Sequence, residues 1–422
     1  MMNKRIVKRN GDEIFPLGLG AMRLPTKNNS IDRDLAKEYI LYAIDNGINY
    51  IDTAYAYHGG ESESFLGDIL SLSDDNGVKY RDKVKLSTKL PSWMVRSRED
   101  MDAFLNEQLR KLKSDCIDYY YIHSVDLSTI LRLKKLGLYE FLEKSRNEGK
   151  IKNIGFSYHG APNEFNELID DYDWDMVLVQ YNYMDMNAQA GIRGIQYAYE
   201  NDIAVFVMEP LKGGILAGEL PKEVDDLFAG VDSNRSSVDW ALSWVLNQKE
   251  ITCVLSGMGS LEQIKENMAI AERVEIDSLS DEDLSVLEKA QEIFNSMLKI
   301  NCAGCGYCLP CPRGVNIPDC FNVYNEKYLF NKKAFGVLPH AMVNYYMVVG
   351  GITNKQASAG LCNRCGRCKR LCPQSLDIPN ELDKVKSEFE LLGFNYQIKF
   401  VKNIAMPSIN KISKVFDFFK HF

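Results

Sequence analysis

Short apolar runs alternate with stretches of helical period across the first two thirds of this 422-residue chain, and that alternation limits the possible folds more than any other feature. Leu17 to Ala21, Ile48 to Asp52, Val84 to Lys89, Ile117 to His123, Ile151 to Ser157, Met176 to Gln180, Ala204 to Met208 and Thr252 to Ser256 read as strands. Most are followed by an amphipathic segment, as at Glu99 to Lys113, Glu140 to Glu148 and Glu262 to Ala271. Eight β-then-α units predict an α/β fold, a (β/α)8 TIM barrel over 1–276. A doubly wound open sheet shares the same local grammar. Arg5 to Lys8, the Asn10-Gly11 turn and the run from Glu13 predict a small hairpin that plugs the barrel floor.

The last third is governed by cysteine. Cys302, Cys305, Cys308 and Cys311 precede Pro312, and Cys362, Cys365, Cys368 and Cys372 precede Pro373. The second run is C-x2-C-x2-C-x3-C-P, the spacing by which two-cluster ferredoxins hold 4Fe–4S cubanes, the fourth cysteine crossing to the other cluster. The first run is one residue shorter, with only Leu309 and Pro310 between Cys308 and Cys311. Zinc also takes C-x2-C pairs. It gives no reason for a third cysteine at the same interval and a fourth before proline, twice over. Crossed pairing assigns Cys302, Cys305, Cys308 and Cys372 to one cluster, and Cys362, Cys365, Cys368 and Cys311 to the other. The expectation is a small, mostly α-helical ferredoxin-like iron–sulfur domain over 301–380. A connecting helix over 277–300 precedes it, and a helical extension over 381–422 follows. Phe321 to Tyr328 and Leu338 to Val349 are the expected helices between the runs. Cys116 and Cys253 read as core thiols, and Cys320 as a thiol packed near a cluster.

Charge is uneven along the chain. The net −8 combines 17 Lys/Arg against 8 Asp/Glu from Met297 onward with 33 against 50 before it. Arg364, Arg367, Lys369 and Arg370 either offset the negative charge of a thiolate-ligated cluster or form a solvated basic face. The tail from Asn395 sets Lys399, Lys402, Lys411, Lys414 and Lys420 among aromatic and aliphatic residues. A helix packed on the acidic barrel or on a partner is favoured over a membrane-surface helix. No recognition motif points to nucleic acid. Eleven cysteines without an N-terminal apolar h-region or a membrane-length apolar run predict a cytoplasmic protein whose thiols bind metal.

Polar residues stand where the barrel strands end. Asp52, Lys89 and His123 close the second, third and fourth predicted strands, and Tyr57 lies in the loop after Asp52. Barrel strand ends meet at one mouth, where catalytic groups collect. A tyrosine hydroxyl donates a proton poorly at neutral pH unless a cation lowers its pKa. Lys89 would supply that charge, Asp52 would hold Lys89, and neutral His123 would orient a substrate carbonyl.

Gly47-Ile48-Asn49-Tyr50-Ile51-Asp52-Thr53-Ala54-Tyr55-Ala56-Tyr57, followed by Glu61-Ser62-Glu63, resembles the aldo-keto reductase signature. The resemblance continues through Ser87-Thr88-Lys89, Ile122-His123, Gly155-Phe156-Ser157, Gln180-Tyr181-Asn182 and Glu266-Asn267. The whole chain is similar to a narrower group of such proteins, mostly from anaerobes, with a C-terminal ferredoxin-like domain. The resemblance implies a tetrad of Asp52, Tyr57, Lys89 and His123 that reduces a small carbonyl compound with NADH or NADPH. It places Ser157 and Gln180 at the nicotinamide carboxamide, and Glu266 and Asn267 near adenine. The chain has Tyr158 where the family has asparagine, which brings His159 into consideration, and Met208 where an aromatic often stacks on nicotinamide. Gly213 and Gly257 lie in loops whose N–H groups could face a pyrophosphate, and Ser260 with Gln263 reads as a capping box that opens a helix. Gly257 and Gln263 stand where NADPH-specific members carry Lys or Arg, so NADH is expected to serve at least as well. Substrate specificity is expected in Tyr57 to Gly60, Trp93 and the segment after Ser124.

Nicotinamide passes two electrons as hydride, whereas a cubane takes one. A flavin would mediate between them, but no specific flavin motif is present. Three functions stay open, in this order: a nicotinamide-dependent carbonyl reductase whose clusters serve an electron-carrier protein or sense redox state; a ferredoxin- or flavin-linked reductase; and an electron-transfer or binding module with a vestigial tetrad.

Overall fold

The computed structural model describes residues 4–28, 30–330, 333–334, 338–351, 355–391 and 393–400. The chain divides into two compact units, Met1–Gly218 with Leu227–Lys289, and Glu219–Asp226 with Ala290–Phe422.

In the first unit eight parallel strands close into a barrel: β1 (Leu17–Gly20), β2 (Tyr50–Asp52), β3 (Lys85–Leu90), β4 (Ile117–Val125), β5 (Ile151–Tyr158), β6 (Met176–Gln180), β7 (Ala204–Met208) and β8 (Ile251–Ser256). Closure, with β8 paired to β1, excludes the open doubly wound sheet. The interior is unusually aromatic. Tyr50, Tyr119, Tyr121 and Phe206 fill it with Met176, Leu178, Cys253 and Leu255. Buried phenol groups need partners; Tyr50 and Tyr121 bond each other at 2.9 Å, and Tyr119 donates to Asp12 at 2.7 Å. Gly155 is required on β5, because a Cβ there would lie 2.0 Å from the Met176 carbonyl oxygen.

Arg5–Ile6 pairs with Glu13–Ile14 as the expected hairpin, and Val7 and Ile14 pack into the barrel core. The buried Arg5 guanidinium caps the floor by donating to the carbonyls of Leu246 and Ile251. Side-chain caps start the helices that follow β4 and β8: Asp126 accepts from Thr129 N at 2.7 Å, and Ser260 from Gln263 N at 3.3 Å. A second hairpin, Thr26–Lys27 with Ser30–Ile31, was not legible in the sequence.

The second unit is helical: Ile317–Phe330, His340–Val348, Ile378–Phe389 and Phe394–Phe400, with short turns before and inside the second cysteine run. Phe321, Val323, Tyr345, Val349, Leu382, Val385 and Phe389 form its core. Helix Asp281–Met297 crosses the division between the units. The proposed extension over 381–422 is helical to Phe400, and the basic residues from Lys402 onward lie outside the described residues. Cys253 is a buried thiol as expected, and Cys320 is buried beside Tyr345. Cys116, however, is half-exposed, because it sits one residue before β4 enters the barrel. No helix among the described residues is long and apolar enough to cross a membrane.

Candidate active site and cysteine constellations

The strand ends bring Asp52, Tyr57, Lys89 and His123 to one mouth. Lys89 Nζ donates to both oxygens of Asp52, at 2.8 and 2.6 Å, to Thr53 O at 2.8 Å and to Tyr57 Oη at 3.2 Å. Lys89 is 1% exposed and Asp52 3%, whereas Tyr57 is partly open to solvent. Burial lowers the Lys89 pKa, and the Asp52 carboxylate opposes that effect. Ser87 Oγ holds Asp52 from the other side at 2.7 Å. Beneath Lys89, Gln108 Nε2 donates to its carbonyl at 2.9 Å and to Glu63 at 2.7 Å, which pins the end of β3.

His123 is buried, and its ring centroid lies 6.2 Å from that of Tyr57. Burial, then the charges of Lys89 and His159, hold its pKa well below the ordinary imidazole value, so it is neutral at pH 7. Trp93, 45% exposed, stands 5.1 Å from His123. Its turn is tied down by Ser92 Oγ donating to His123 O at 2.5 Å and by Arg132 donating to Ser92 O at 2.6 Å and Val95 O at 2.8 Å.

The expected cofactor contacts fall around the same mouth with unequal freedom. Ser157 Oγ accepts from Ser124 N at 2.7 Å, which leaves its own O–H to give. Gln180 is engaged at both ends: its Nε2 donates to Asp185 at 2.8 Å, and its Oε1 accepts from Gln189 at 2.7 Å. His159 meets Gln189 at 3.2 Å, and burial holds its pKa down at about 4. Tyr158, at the asparagine position, is turned away and donates to Ala161 O at 2.5 Å. Met208 ends β7 opposite Gln180 and is partly exposed.

At the phosphate side, Gly213 has φ 67° and Gly214 φ 102°, and nothing lies within 4 Å of a Cβ built on Gly214, an open cradle. The capping box needs a correction. Gln263 reaches back past Ser260 to accept from Gly259 N at 2.8 Å, so that amide is already committed. Glu266 accepts from Ser236 Oγ at 2.6 Å, and buried Asn267 donates to Ser256 Oγ at 3.1 Å.

Sequence reasoning missed Arg23, Asp185, Lys212 and Glu209. Arg23, in the turn after β1, lays its side chain over Gly257, where a Cβ would come within 3.0 Å of it. It thus brings a cationic side chain to a segment that has none of its own. Buried Lys212 and Asp185 form an ion pair at 2.6 Å. A charged residue directly after a strand end was the available signal for Glu209. The serine, glutamine and glycine residues thus fit a dinucleotide, with the Gln180 amide already partly engaged. Clefts of about 490 Å³ around Lys83 and Lys152, and about 600 Å³ between Arg5 and Ile276, include the strands' N-terminal ends and none of the tetrad.

In the second unit cysteines from the two runs lie near one another. The Cys308 thiol is pushed up to about 12 by burial and by nearby Cys302 and Cys372, with a smaller effect from Cys368. Burial, Cys362 and Cys311 raise Cys368. Thiols crowded this way ionise together only around a cation. No group of three or more His, Cys, Asp or Glu among the described residues is spaced for a single metal ion. The eight cysteines of the two runs, four in each, are the thiolate donor set that two 4Fe–4S clusters take. Gly304 N and Arg364 N each donate to a run's first sulfur, Cys302 and Cys362, at 3.4 Å. The Arg364 guanidinium pairs with Asp383, and Lys369 with Asp377 at 2.8 Å, so surface carboxylates engage two of the four cations expected to offset a cluster.

Similarity to known proteins agrees with this geometry. The Aldo/keto reductase family model matches residues 16–292, and the 4Fe-4S dicluster domain model matches 301–377. The chain is 25% identical over 317 residues to an NADH-specific methylglyoxal reductase of Escherichia coli, covering 65% of this chain and 94% of that protein. It is also 25% identical over 303 residues to L-galactose dehydrogenase of Arabidopsis thaliana, covering 68% and 94%. An aldo-keto reductase of Bacillus halodurans in its holo form superposes with TM-score 0.57 at 24% identity, over 69% of this chain and 96% of that one. A Klebsiella pneumoniae aldo-keto reductase in complex with NADPH gives TM-score 0.55 at 21% identity, over 68% and 95%. The chain therefore belongs to the aldo/keto reductase family, an oxidoreductase that carries a C-terminal 4Fe–4S dicluster domain.

Proposed function

We propose that this protein reduces an aldehyde or ketone to an alcohol with NADH or NADPH, and that its eight cysteines hold two 4Fe–4S clusters. The observation that carries the proposal is the buried Lys89 ammonium, which spans both oxygens of Asp52 and reaches Tyr57 Oη at 3.2 Å. Nicotinamide, when bound, would supply the hydride. Tyr57 gives its hydroxyl proton to the carbonyl oxygen, and Lys89 stabilises the tyrosinate left behind. Asp52 keeps Lys89 charged in a buried position. Neutral His123 donates a hydrogen bond that orients the carbonyl, and Trp93 offers an apolar wall beside it. Ser157, His159, Gln180 and Met208 would hold the nicotinamide end, and Gly213, Gly257, Ser260, Gln263, Glu266 and Asn267 the rest of the dinucleotide. Cys302, Cys305, Cys308 and Cys372 would ligate one cluster, and Cys362, Cys365, Cys368 and Cys311 the other, with a separate electron-carrier protein as partner.

One observation favours a second function, a reductase fed from ferredoxin through the clusters or a flavin. Gln180 already gives one amide N–H to Asp185 and takes one N–H from Gln189, so at most its second N–H and second lone pair remain for a carboxamide. The test is anaerobic turnover of a panel of aldehydes and ketones, followed by nicotinamide absorbance and alcohol product. We expect equimolar loss of NAD(P)H and gain of alcohol, lost about 10²–10⁴-fold in Tyr57→Phe. Alcohol formed only with reduced ferredoxin supports the second function instead.

A further inference from the structure

We propose that Glu209 is a binding residue for the dinucleotide, which meets an anionic oxygen of that cofactor as a carboxylic acid, so that binding takes up one proton. The assignment rests on the nicotinamide chemistry proposed above. Glu209 follows β7 directly, at the mouth that carries the tetrad. Its backbone sits at φ 55°, uncommon for a residue with a side chain, and Asn182 Nδ2 holds its carbonyl at 3.1 Å. The residue is partly exposed, yet its Oε2 is shielded and meets no hydrogen-bond partner. A shielded carboxyl oxygen without a partner makes the ionised form costly and so favours the acid.

Charges from three elements act on this carboxyl. The turn after β1 brings Arg23, whose stem covers Gly257 and whose side chain is exposed. The loop after β6 brings Asp185, and the loop of Glu209 itself brings Lys212 and the open backbone at Gly213 and Gly214. The loop after β8 contributes Gly257 with no titratable side chain. Asp185 and Lys212 neutralise each other at 2.6 Å. Arg23 forms no ion pair among the described residues, so an incoming anion finds one uncommitted cation and one carboxyl.

Protonation decides whether that carboxyl helps. An ionised Glu209 would repel a phosphate oxygen; a protonated one donates a hydrogen bond to it. Burial, with repulsion from Asp185, outweighs the pull of Lys212 and Arg23 and lifts the Glu209 pKa to about 7. The proton enters from solvent onto a Glu209 oxygen, and no covalent bond to the cofactor forms.

The test is titration of the anaerobically purified holoprotein with NADH and with NADPH from about pH 5.5 to pH 9. Nucleotide fluorescence gives Kd, and calorimetry in two buffers of different ionisation enthalpy gives the proton count. We expect Kd to be nearly flat below about pH 6 and to rise toward tenfold per pH unit above pH 7, with close to one proton taken up at about pH 8. Glu209→Gln should abolish the slope and bind about tenfold more tightly than wild type at about pH 8. Arg23→Gln, an independent check of the phosphate side, should weaken binding at every pH and keep the slope. A flat wild-type profile, or the same slope in Glu209→Gln, overturns the proposal and leaves nicotinamide binding intact. Binding of neither nucleotide at any pH overturns both.

Discussion

Replacing Asp52 by Asn removes the charge that keeps Lys89 protonated while preserving shape. Asp52 accepts two bonds of 2.8 and 2.6 Å from Lys89, and both side chains are almost fully buried. Stranding one partner of a buried pair costs about 3–5 kcal/mol when the remaining charge has no escape. Lys89 has one: burial already lowers its pKa, and without Asp52 it can release its proton to solvent. The stability loss should therefore be smaller, about 1–3 kcal/mol, with the fold intact. The catalytic loss should be large. At the 3.2 Å separation of Lys89 Nζ and Tyr57 Oη, a unit charge is worth at most about 5 kcal/mol with an effective dielectric constant of about 20. We expect kcat to fall about 10²–10⁴-fold with nucleotide Kd changed less than about threefold. Lys89→Met should lose as much activity, and the double variant should lose no more than either single one. The assays are anaerobic steady-state kinetics, nucleotide titration and thermal unfolding. Activity within about threefold of wild type in Asp52→Asn, or additive losses in the double variant, would refute a role for the Asp52–Lys89 pair in charging Tyr57.

Cys372→Ala should deplete the cluster of Cys302, Cys305 and Cys308, and Cys311→Ala the other; iron content and EPR spin counts that fall by about half in each variant check the crossing. Tyr345→Phe should destabilise the second unit by about 1–3 kcal/mol, because Tyr345 Oη accepts from Ala359 N at 2.9 Å and donates to Glu390 at 2.7 Å just ahead of Cys362; thermal unfolding of the holoprotein reads it. Glu209→Gln should raise stability most at alkaline pH. The native pKa is about 7 against 4.5 for the ordinary group, so the native state keeps a proton that the unfolded state sheds. Wild-type stability from this group thus falls as pH rises from about 4.5 to about 7, by at most about 3 kcal/mol and less for a partly exposed side chain. Unfolding midpoints of the two proteins that stay parallel from pH 5 to about pH 8 would contradict this.

Much of this architecture is written in local pattern. The eight strands were legible because each is a short apolar run bounded by turns, and only their ends moved. β4 runs on to Val125, past Ser124 at φ 55°, a backbone state that no side-chain pattern announces. Asp52, Lys89 and His123 were legible because parallel strands of a closed barrel deliver their last residues to the same end. The 4Fe–4S dicluster domain was legible from cysteine spacing alone. The phosphate side was not. Arg23 meets Gly257 across more than two hundred residues, and that approach depends on β8 pairing with β1. The hydrogen bonds of Gln180 were equally hidden, since Asp185 and Gln189 fold back onto it from an irregular loop. The capping box failed by one residue because Gln263 found Gly259 N instead.

Hydride transfer at the tetrad is tested most directly with nicotinamide deuterated at the transferring carbon. Anaerobic holoprotein with intact clusters is mixed with this cofactor and an aldehyde or ketone it reduces, and the alcohol is examined by mass spectrometry and NMR. We expect deuterium at the carbinol carbon of essentially every product molecule, at a rate that collapses in Tyr57→Phe. An alcohol whose carbinol hydrogen comes from water, formed at the same rate in Tyr57→Phe, would show that electrons reach the substrate through the clusters or a flavin and not from nicotinamide at this site.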